Sequence, residues 1–406
     1  TNVIRNFCLR IENGRIAKIK KSLRKERGED VINCKGKLVM PGMINTHTHS
    51  AMVLFRGLGE DMKLEQWLKE KIWPLEAKLK ERDVYKGSLL ACIEMIKNGV
   101  TTFADMYFFM ESVAKACKKV GIRGVLSPGI FDFPTPESKD PVKTAEKFVK
   151  RWKNKSELII PSVGPHSIYT CSKETLLKSK EIAEAYQVLI HIHLSETRKE
   201  VYDCWKKHGK RPVEYLKKIE FLGPNVLAAH CGWITKQEVK ILADYNVKVS
   251  HCPVSNMKLA TGGVMPLPEM RRAGVTLSLG TDSAASNNSL DLFETMKFTA
   301  LLHKHARWDP TVTKTEEIVR MATTNGAKTL GLRDLGTLDV GNKADIIILT
   351  INKPHWKPCF DVFANLVYSS KASDVETVIV NGNIVMKNRE MINVDEHKLL
   401  GEFDEN

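Results

Sequence analysis

Eight short apolar runs punctuate the middle of the chain, and stretches with helical spacing of apolar residues lie between them. The runs are LVMPGMINTH, GVTTFADM, IRGVLSPG, LIIPSVGPH, VLIHIHLSE, NVLAAHC, VKVSHCP and VTLSLGTDS. They are near-continuous rather than alternating, the pattern of parallel strands covered on both faces. Helical stretches include ERDVYKGSLLACIEMIKNG and KETLLKSKEIAEAY, and Gly99 sits where the first should stop. Eight alternating strand and helix units over residues 39–334 predict an α/β fold, a (β/α)8 barrel.

The two ends read differently. Residues 1–38 read as short strands with a turn at Asn13-Gly14, and residues 335–406 carry ADIIILTI and VETVIVNGNIVMKN with a second turn at Asn381-Gly382. Asn-Gly between strands is a strong hairpin signal. The expected organisation is a catalytic barrel over 39–334 beside a small β-sandwich built jointly by 1–38 and 335–406. No fixed internal repeat or low-complexity linker interrupts this plan.

Composition narrows the class. The chain has 406 residues, 43% hydrophobic and 27% charged, an ordinary globular balance. No window approaches the roughly 18 apolar residues of a membrane span. The first residues lack the apolar core and small-residue cleavage site of a signal peptide, so a cytoplasmic location and no membrane partner are expected. The net charge of +14 raises nucleic-acid binding, but the basic residues are interspersed with acidic ones, as in KSLRKERGED. Such charge argues about solubility and steering rather than a nucleic-acid partner. Nine cysteines occur singly, with no CxxC pair. Free thiols in a reducing compartment explain them, and a cysteine-built zinc site is not expected.

The strand ends carry the chemistry. In a barrel of this kind the active site lies at the C-terminal ends of the strands. The first strand ends in His47 and His49, which alternation points to the same side. The second ends in Asp105, the fourth in His166, and the fifth in His193 with Glu196 three residues on. His230, His251 and Asp282 end the sixth, seventh and eighth. Six of the chain's 12 histidines thus fall at predicted strand ends. Imidazoles and a carboxylate suit zinc, and also iron or manganese. A divalent ion there lowers the pKa of a bound water to about 7, and Glu196 is placed to move protons. Blander readings stand beside these. His191 or His193 serves structure only, His251 is a hydrogen-bonded core histidine, Asp105 caps the following helix, and Cys231 and Cys252 pack.

NTHTHS, HLSET, AAHC, SHCPVSNMKL, GTDSAASNNSLDLF and GTLDVGNKADIIIL resemble the amidohydrolase superfamily. Within it the chain resembles the S-adenosylhomocysteine/5'-methylthioadenosine deaminase family, including its 5'-deoxyadenosine deaminases, over essentially its whole length. The resemblance implies one divalent metal per subunit, most simply Zn2+ with Fe2+ or Mn2+ as alternatives, held by His47, His49, His193 and Asp282. It implies Glu196 as acid/base, His230 as the residue orienting the hydrolytic water, and Asp282 as a further catalytic group. Glu76 corresponds to a ribose-binding glutamate, His166 to a substrate-binding histidine and Trp67 to an aromatic wall, with a plain amphipathic-helix role for Trp67 as the alternative. Glu196 and Asp282 also face the substrate.

Two-metal members carry a bridging lysine after the fourth strand. SVGPHS has none, so a single ion is expected. The implied reaction is deamination of adenine nucleosides such as 5'-deoxyadenosine and 5'-methylthioadenosine, by water attack at carbon 6 and proton delivery to ring nitrogen 1. Another heterocycle reaction on the same scaffold is the alternative: triazine dechlorination, or guanine or cytosine deamination. Relatives that take S-adenosylhomocysteine place an arginine after the third strand, where this chain has Pro128 and then FDFPTPESKD, with only Lys139 as a point charge. Smaller or less charged 5' groups are therefore expected, with adenosine, and S-adenosylhomocysteine paired to Lys139, left open as substrates. A homo-oligomer, dimer or tetramer, is implied by the resemblance alone.

Overall fold

The computed structural model describes residues 3–404. Its strands begin with β1 (Cys8–Glu12), β2 (Arg15–Lys20), β3 (Lys37–Pro41) and β4 (Met43–Thr48). Next come β5 (Val100–Tyr107), β6 (Arg123–Ile130), β7 (Ile159–Pro161) and β8 (Gly164–Pro165). β9 (Ile190–Leu194), β10 (Val226–His230), β11 (Lys248–His251) and β12 (Thr276–Leu279) follow. The last are β13 (Ile346–Thr350), β14 (Val375–Val380), β15 (Asn383–Lys387) and β16 (Glu390–Met391).

Two parallel arcs, β4-β5-β6-β7 and β9-β10-β11-β12, make the barrel wall. At one seam Val163 donates to the Leu189 carbonyl and accepts from the His191 amide, at 2.9 and 2.8 Å. At the other, the Asp282 amide donates to the His47 carbonyl at 3.0 Å and Thr46 Oγ1 to the Leu279 carbonyl at 2.9 Å. The wall closes, leaving no open edge. The fourth station is split in two, with β8 pairing β6 beyond the end of β7. Helices run between the strands, among them Glu81–Lys97, which ends before Gly99 at φ +80°, and Lys173–Tyr186.

The barrel interior is packed. Thr46 Oγ1 bridges the hydroxyls of Ser250 and Ser278 at 2.7 and 2.8 Å, directly beneath His47. Gly280 allows this layer to approach, since a Cβ there would lie 2.7 Å from both His47 Cβ and Ser250 Oγ.

The run LVMPGMINTH, read as one strand, is two. β3 leaves the barrel at Gly42 and pairs antiparallel with β13 in the sheet β16-β15-β14-β13-β3. The β1-β2 hairpin covers that sheet, with Ile16 packed among Ala344, Ile346 and Ile379. Both Asn-Gly turns adopt left-handed backbone, φ +50° and +76° at Asn13-Gly14 and +49° and +80° at Asn381-Gly382, as type I′ hairpins require. Both termini therefore build one small β-sandwich. Buried Arg123 at the base of β6 joins it to the barrel by pairing with Asp345, which also accepts the Asn381 amide at 2.8 Å. No helix among the described residues is long and apolar enough to cross a membrane.

Candidate active site

Several barrel strands deliver polar residues to one pocket at the C-terminal rim, while Asp105 and His251 stay outside it. His47 and His49 end β4, His193 ends β9, His230 ends β10, and Asp282 follows β12. His49, His193, His230, Glu196 and Asp282 all line this pocket, with Glu76, Trp67 and His166. Every residue expected at the site is brought there, with His47 buried directly beneath.

The hydrogen bonds around the histidines fix which nitrogen faces inward. His49 Nδ1 donates to the Met106 carbonyl at 2.6 Å and His193 Nδ1 to the His166 carbonyl at 2.8 Å. His47 Nδ1 lies 2.7 Å from His191 Nε2. These contacts turn the three Nε2 atoms toward one another, with His49 and His193 only 3.2 Å apart. Asp282 Oδ1 completes the set, 3.5 Å from His47 Nε2 and 3.4 Å from His49 Nε2. Its other oxygen accepts from Ser255 and Ser286, so Oδ1 is the one left free to face inward.

This arrangement fits a divalent cation. His47, His49 and His193, and equally His47, His230 and Asp282, offer ligand atoms within 4.8 Å of one another. His47 Nε2 is buried without a hydrogen-bond partner, a costly state for an imidazole unless the nitrogen binds something. Lone pairs aimed at one point repel each other unless a cation sits between them. Neutral imidazoles are what a metal needs, and burial lowers the His47 pKa to about 4 and that of His193 well below the ordinary value.

Glu196 and His230 line the same pocket. Glu196 is 7% exposed, and burial pushes its carboxyl up despite the opposing pull of His230. Burial pulls His230 down, yet Glu196 and Asp282 outweigh it and raise its pKa. Asn256 Oδ1 accepts from His230 Nδ1 at 2.9 Å, leaving Nε2 toward the pocket. His230 and Asp282 both hold left-handed backbone, φ +71° and +62°. Such strain gathers where a site over-determines its side chains.

The walls are aromatic. Phe131 stacks on His166 with centroids 4.8 Å apart, and Phe133 follows at 5.1 Å from Phe131. Trp67, 5% exposed, donates Nε1–H to the Leu58 carbonyl at 2.8 Å, so it is at once wall and anchor. Its helix is interrupted by a wide turn at Leu68–Ile72, and this irregular segment carries Leu64, Trp67, Leu68, Ile72, Trp73 and Glu76 to the pocket. Glu76 accepts from the Tyr107 hydroxyl at 2.7 Å. Pro128 lies inside β6 and does not reach the pocket; Gly129, Phe131 and Phe133 do. Among the described lining residues there is no lysine or arginine, and Lys139 lies outside.

Several supporting residues escaped the sequence reading. Glu200 accepts the Ser195 and Glu196 amides, both at 2.8 Å, and burial raises its pKa to about 7. The T-x-x-E spacing from the helix N-cap Thr197 is a capping signal that could have revealed it. Ser255 and Ser286 had no such signal, since each acts from a neighbouring short helix, Pro253–Lys258 and Ala284–Asn287. Asp105, expected to cap the helix that follows it, instead accepts the Ser50 amide at 2.8 Å and the Ser50 hydroxyl. The parallel register places Asp105 beside Thr48, so its carboxylate fixes the backbone just past His49. His251 is a core residue bonded to His303 at 3.0 Å. Cys231 and Cys252 are fully buried, and burial raises both thiols well above their ordinary range.

Comparisons with known proteins agree with this geometry. The amidohydrolase family matches residues 38–385. A 5-methylthioadenosine/S-adenosylhomocysteine deaminase from Thermodesulfovibrio yellowstonii is 47% identical, covering 98% of this chain and 92% of that protein. A 5'-deoxyadenosine deaminase from Methanosarcina acetivorans is likewise 47% identical over 98% and 92%. The crystal structure of an adenosine deaminase from Xanthomonas campestris with bound zinc superposes with a TM-score of 0.96 at 31% identity, covering 99% of this chain and 93% of that one.

Proposed function

The chain belongs to the amidohydrolase family, and from that premise we propose that it deaminates adenosines with small, neutral 5' groups, using a single zinc ion. The protein is a hydrolase of C–N bonds acting on adenosine derivatives. The observation that carries the finer reading is a converging His47–His49–His193–Asp282 set, flanked by Glu196 and His230, in an aromatic pocket with no lysine or arginine among its described lining residues.

A divalent ion held by His47, His49, His193 and Asp282 supplies Lewis-acid activation of water at neutral pH. Three nitrogens and one oxygen suit zinc, and the Xanthomonas neighbour was crystallised with zinc. Glu196, whose carboxyl burial pushes toward the protonated form, gives its proton to ring nitrogen 1 as water oxygen bonds carbon 6. His230 Nε2, aimed by Asn256, holds the attacking water, and Asp282 Oδ1 takes its proton. The proton held by Asp282 then passes to the exocyclic nitrogen, the carbon–nitrogen bond breaks and ammonia leaves, while the hydroxyl on carbon 6 returns its proton to Glu196 and becomes the carbonyl of the inosine derivative. Glu76, steadied by Tyr107, accepts the ribose hydroxyls, the feature that separates a nucleoside from a free base. His166 supports the substrate from the stacked aromatic wall.

The 5' group meets Phe131 and Phe133. A methylthio or methyl group gains from that apolar surface, whereas an amino-acid carboxylate finds no bidentate partner there. The test is a panel of adenosines differing only at the 5' position, with zinc content measured in parallel. The reading expects 5'-deoxyadenosine and 5'-methylthioadenosine to exceed S-adenosylhomocysteine in kcat/KM. A strong preference for S-adenosylhomocysteine overturns it.

A further inference from the structure

His191 stands two residues before His193 in β9, so both rings turn to the barrel interior. His193 reaches the pocket, while His191 stays one layer deeper, fully buried against His47. The two rings meet edge to face, at 79° with centroids 4.9 Å apart. Nδ1 of His47 and Nε2 of His191 are separated by 2.7 Å.

The protons on this pair follow from counting. A neutral imidazole carries one N–H. If His47 Nε2 offers its lone pair to a metal, the proton sits on Nδ1 and must be donated. His191 Nε2 is then the acceptor, and the His191 proton sits on its own Nδ1. That atom is buried and has no protein partner. The pair thus satisfies the donor on His47 within the protein, while the His191 Nδ1 proton has no partner among the described protein groups.

We infer that His191 is a positioning residue that locks His47 in the Nδ1–H form and so holds its Nε2 lone pair on the metal position. The inference rests on the reading of His47 as a ligand. His49 and His193 get the same service from backbone carbonyls, those of Met106 and His166. Only His47 depends on a side chain, so only here can one substitution remove the lock. A neutral acceptor also adds no negative charge behind the ligand, unlike the carboxylate that often fills this place.

The test compares zinc affinity, by competition with a chromogenic chelator, in the parent, His47→Ala, His191→Met and His191→Gln full-length proteins. The thermal midpoint of each metal-stripped protein reports on the fold alone. His191→Met fills the space without an acceptor and is expected to weaken zinc binding about 10–100-fold, with the metal-stripped midpoint near the parent's. His191→Gln keeps an acceptor oxygen and is expected to recover most of that loss. Parent-like affinity in His191→Met, or equal loss in both His191 variants, overturns the inference. Parent-like affinity in His47→Ala instead overturns the ligand reading beneath it. If His191→Met does not fold, nitrogen NMR of the zinc-loaded parent labelled with 15N-histidine decides. A proton on His191 Nδ1 is expected, and a proton on Nε2 overturns the inference.

Discussion

Replacing Phe133 with arginine should turn the pocket toward charged 5' groups. Phe133 lies at the mouth, 49% exposed, beside Phe131 on the third-strand loop. It is a surface position, so the substitution itself should cost within about 0.5 kcal/mol in stability. The new guanidinium faces the space where a homocysteine carboxylate would lie. Half-exposed ion pairs are screened and yield at most about 1 kcal/mol, and about 1.4 kcal/mol is tenfold. The expected change is therefore a rise of roughly fivefold in the ratio of kcat/KM for S-adenosylhomocysteine over 5'-deoxyadenosine. The ultraviolet change from adenine to hypoxanthine follows both substrates. At about 1 M salt the screening length falls to roughly 3 Å, and most of the gain should vanish. An unchanged ratio, or a gain that ignores salt, refutes the placement of the 5' group beside Phe133.

Asn256→Leu removes the acceptor that orients His230. It should lower kcat about 10–100-fold, while zinc stoichiometry by atomic absorption stays near the parent's. Glu200→Leu leaves the amides of Ser195 and Glu196 unpaired. Each buried orphan costs about 1–3 kcal/mol, which a denaturant titration should register together with lost turnover. Asp374 is buried; burial opposes its ionisation, yet Lys353, His355, the Lys371 amide and Trp356 outweigh it and lower its pKa to about 2. Since the folded pKa lies below the unfolded value of about 3.9, its contribution of at most about 2.6 kcal/mol is complete above that pH and lost as pH falls toward 2. Asp374→Asn should flatten the acid limb of the stability curve, and an unchanged limb contradicts the assignment.

Much of the barrel was legible because parallel strands buried on both faces leave continuous apolar runs. Their polar ends then stand out as a group of histidines and carboxylates, from which the amidohydrolase resemblance, not the strand pattern, singled out His47, His49, His193 and Asp282. Both Asn-Gly hairpins were legible because left-handed backbone has few residue choices. The break at Gly42 was not. β3 and β4 are both apolar, and only pairing partners distinguish a sandwich strand from a barrel strand. Asp105 was misread because its partner Ser50 lies 55 positions away, brought near by strand register alone. Pro128 drew attention as the place of a missing arginine, but strand alternation turns it from the pocket and gives that role to Phe131 and Phe133. Residues that hold other residues, such as Ser255, Ser286 and His191, carry no periodic signal, since their meaning lies in the neighbour they touch.

The central claim is that Glu196 transfers the proton to the purine while His47, His49, His193 and Asp282 hold the metal. Glu196→Gln, loaded with zinc and assayed with 5'-deoxyadenosine for inosine-type product and ammonia, tests both halves at once. The account predicts full zinc occupancy with turnover lower by roughly 10²–10⁴-fold, the usual worth of a positioned acid/base group. Zinc-loaded Glu196→Gln that deaminates at near the parent rate would contradict it.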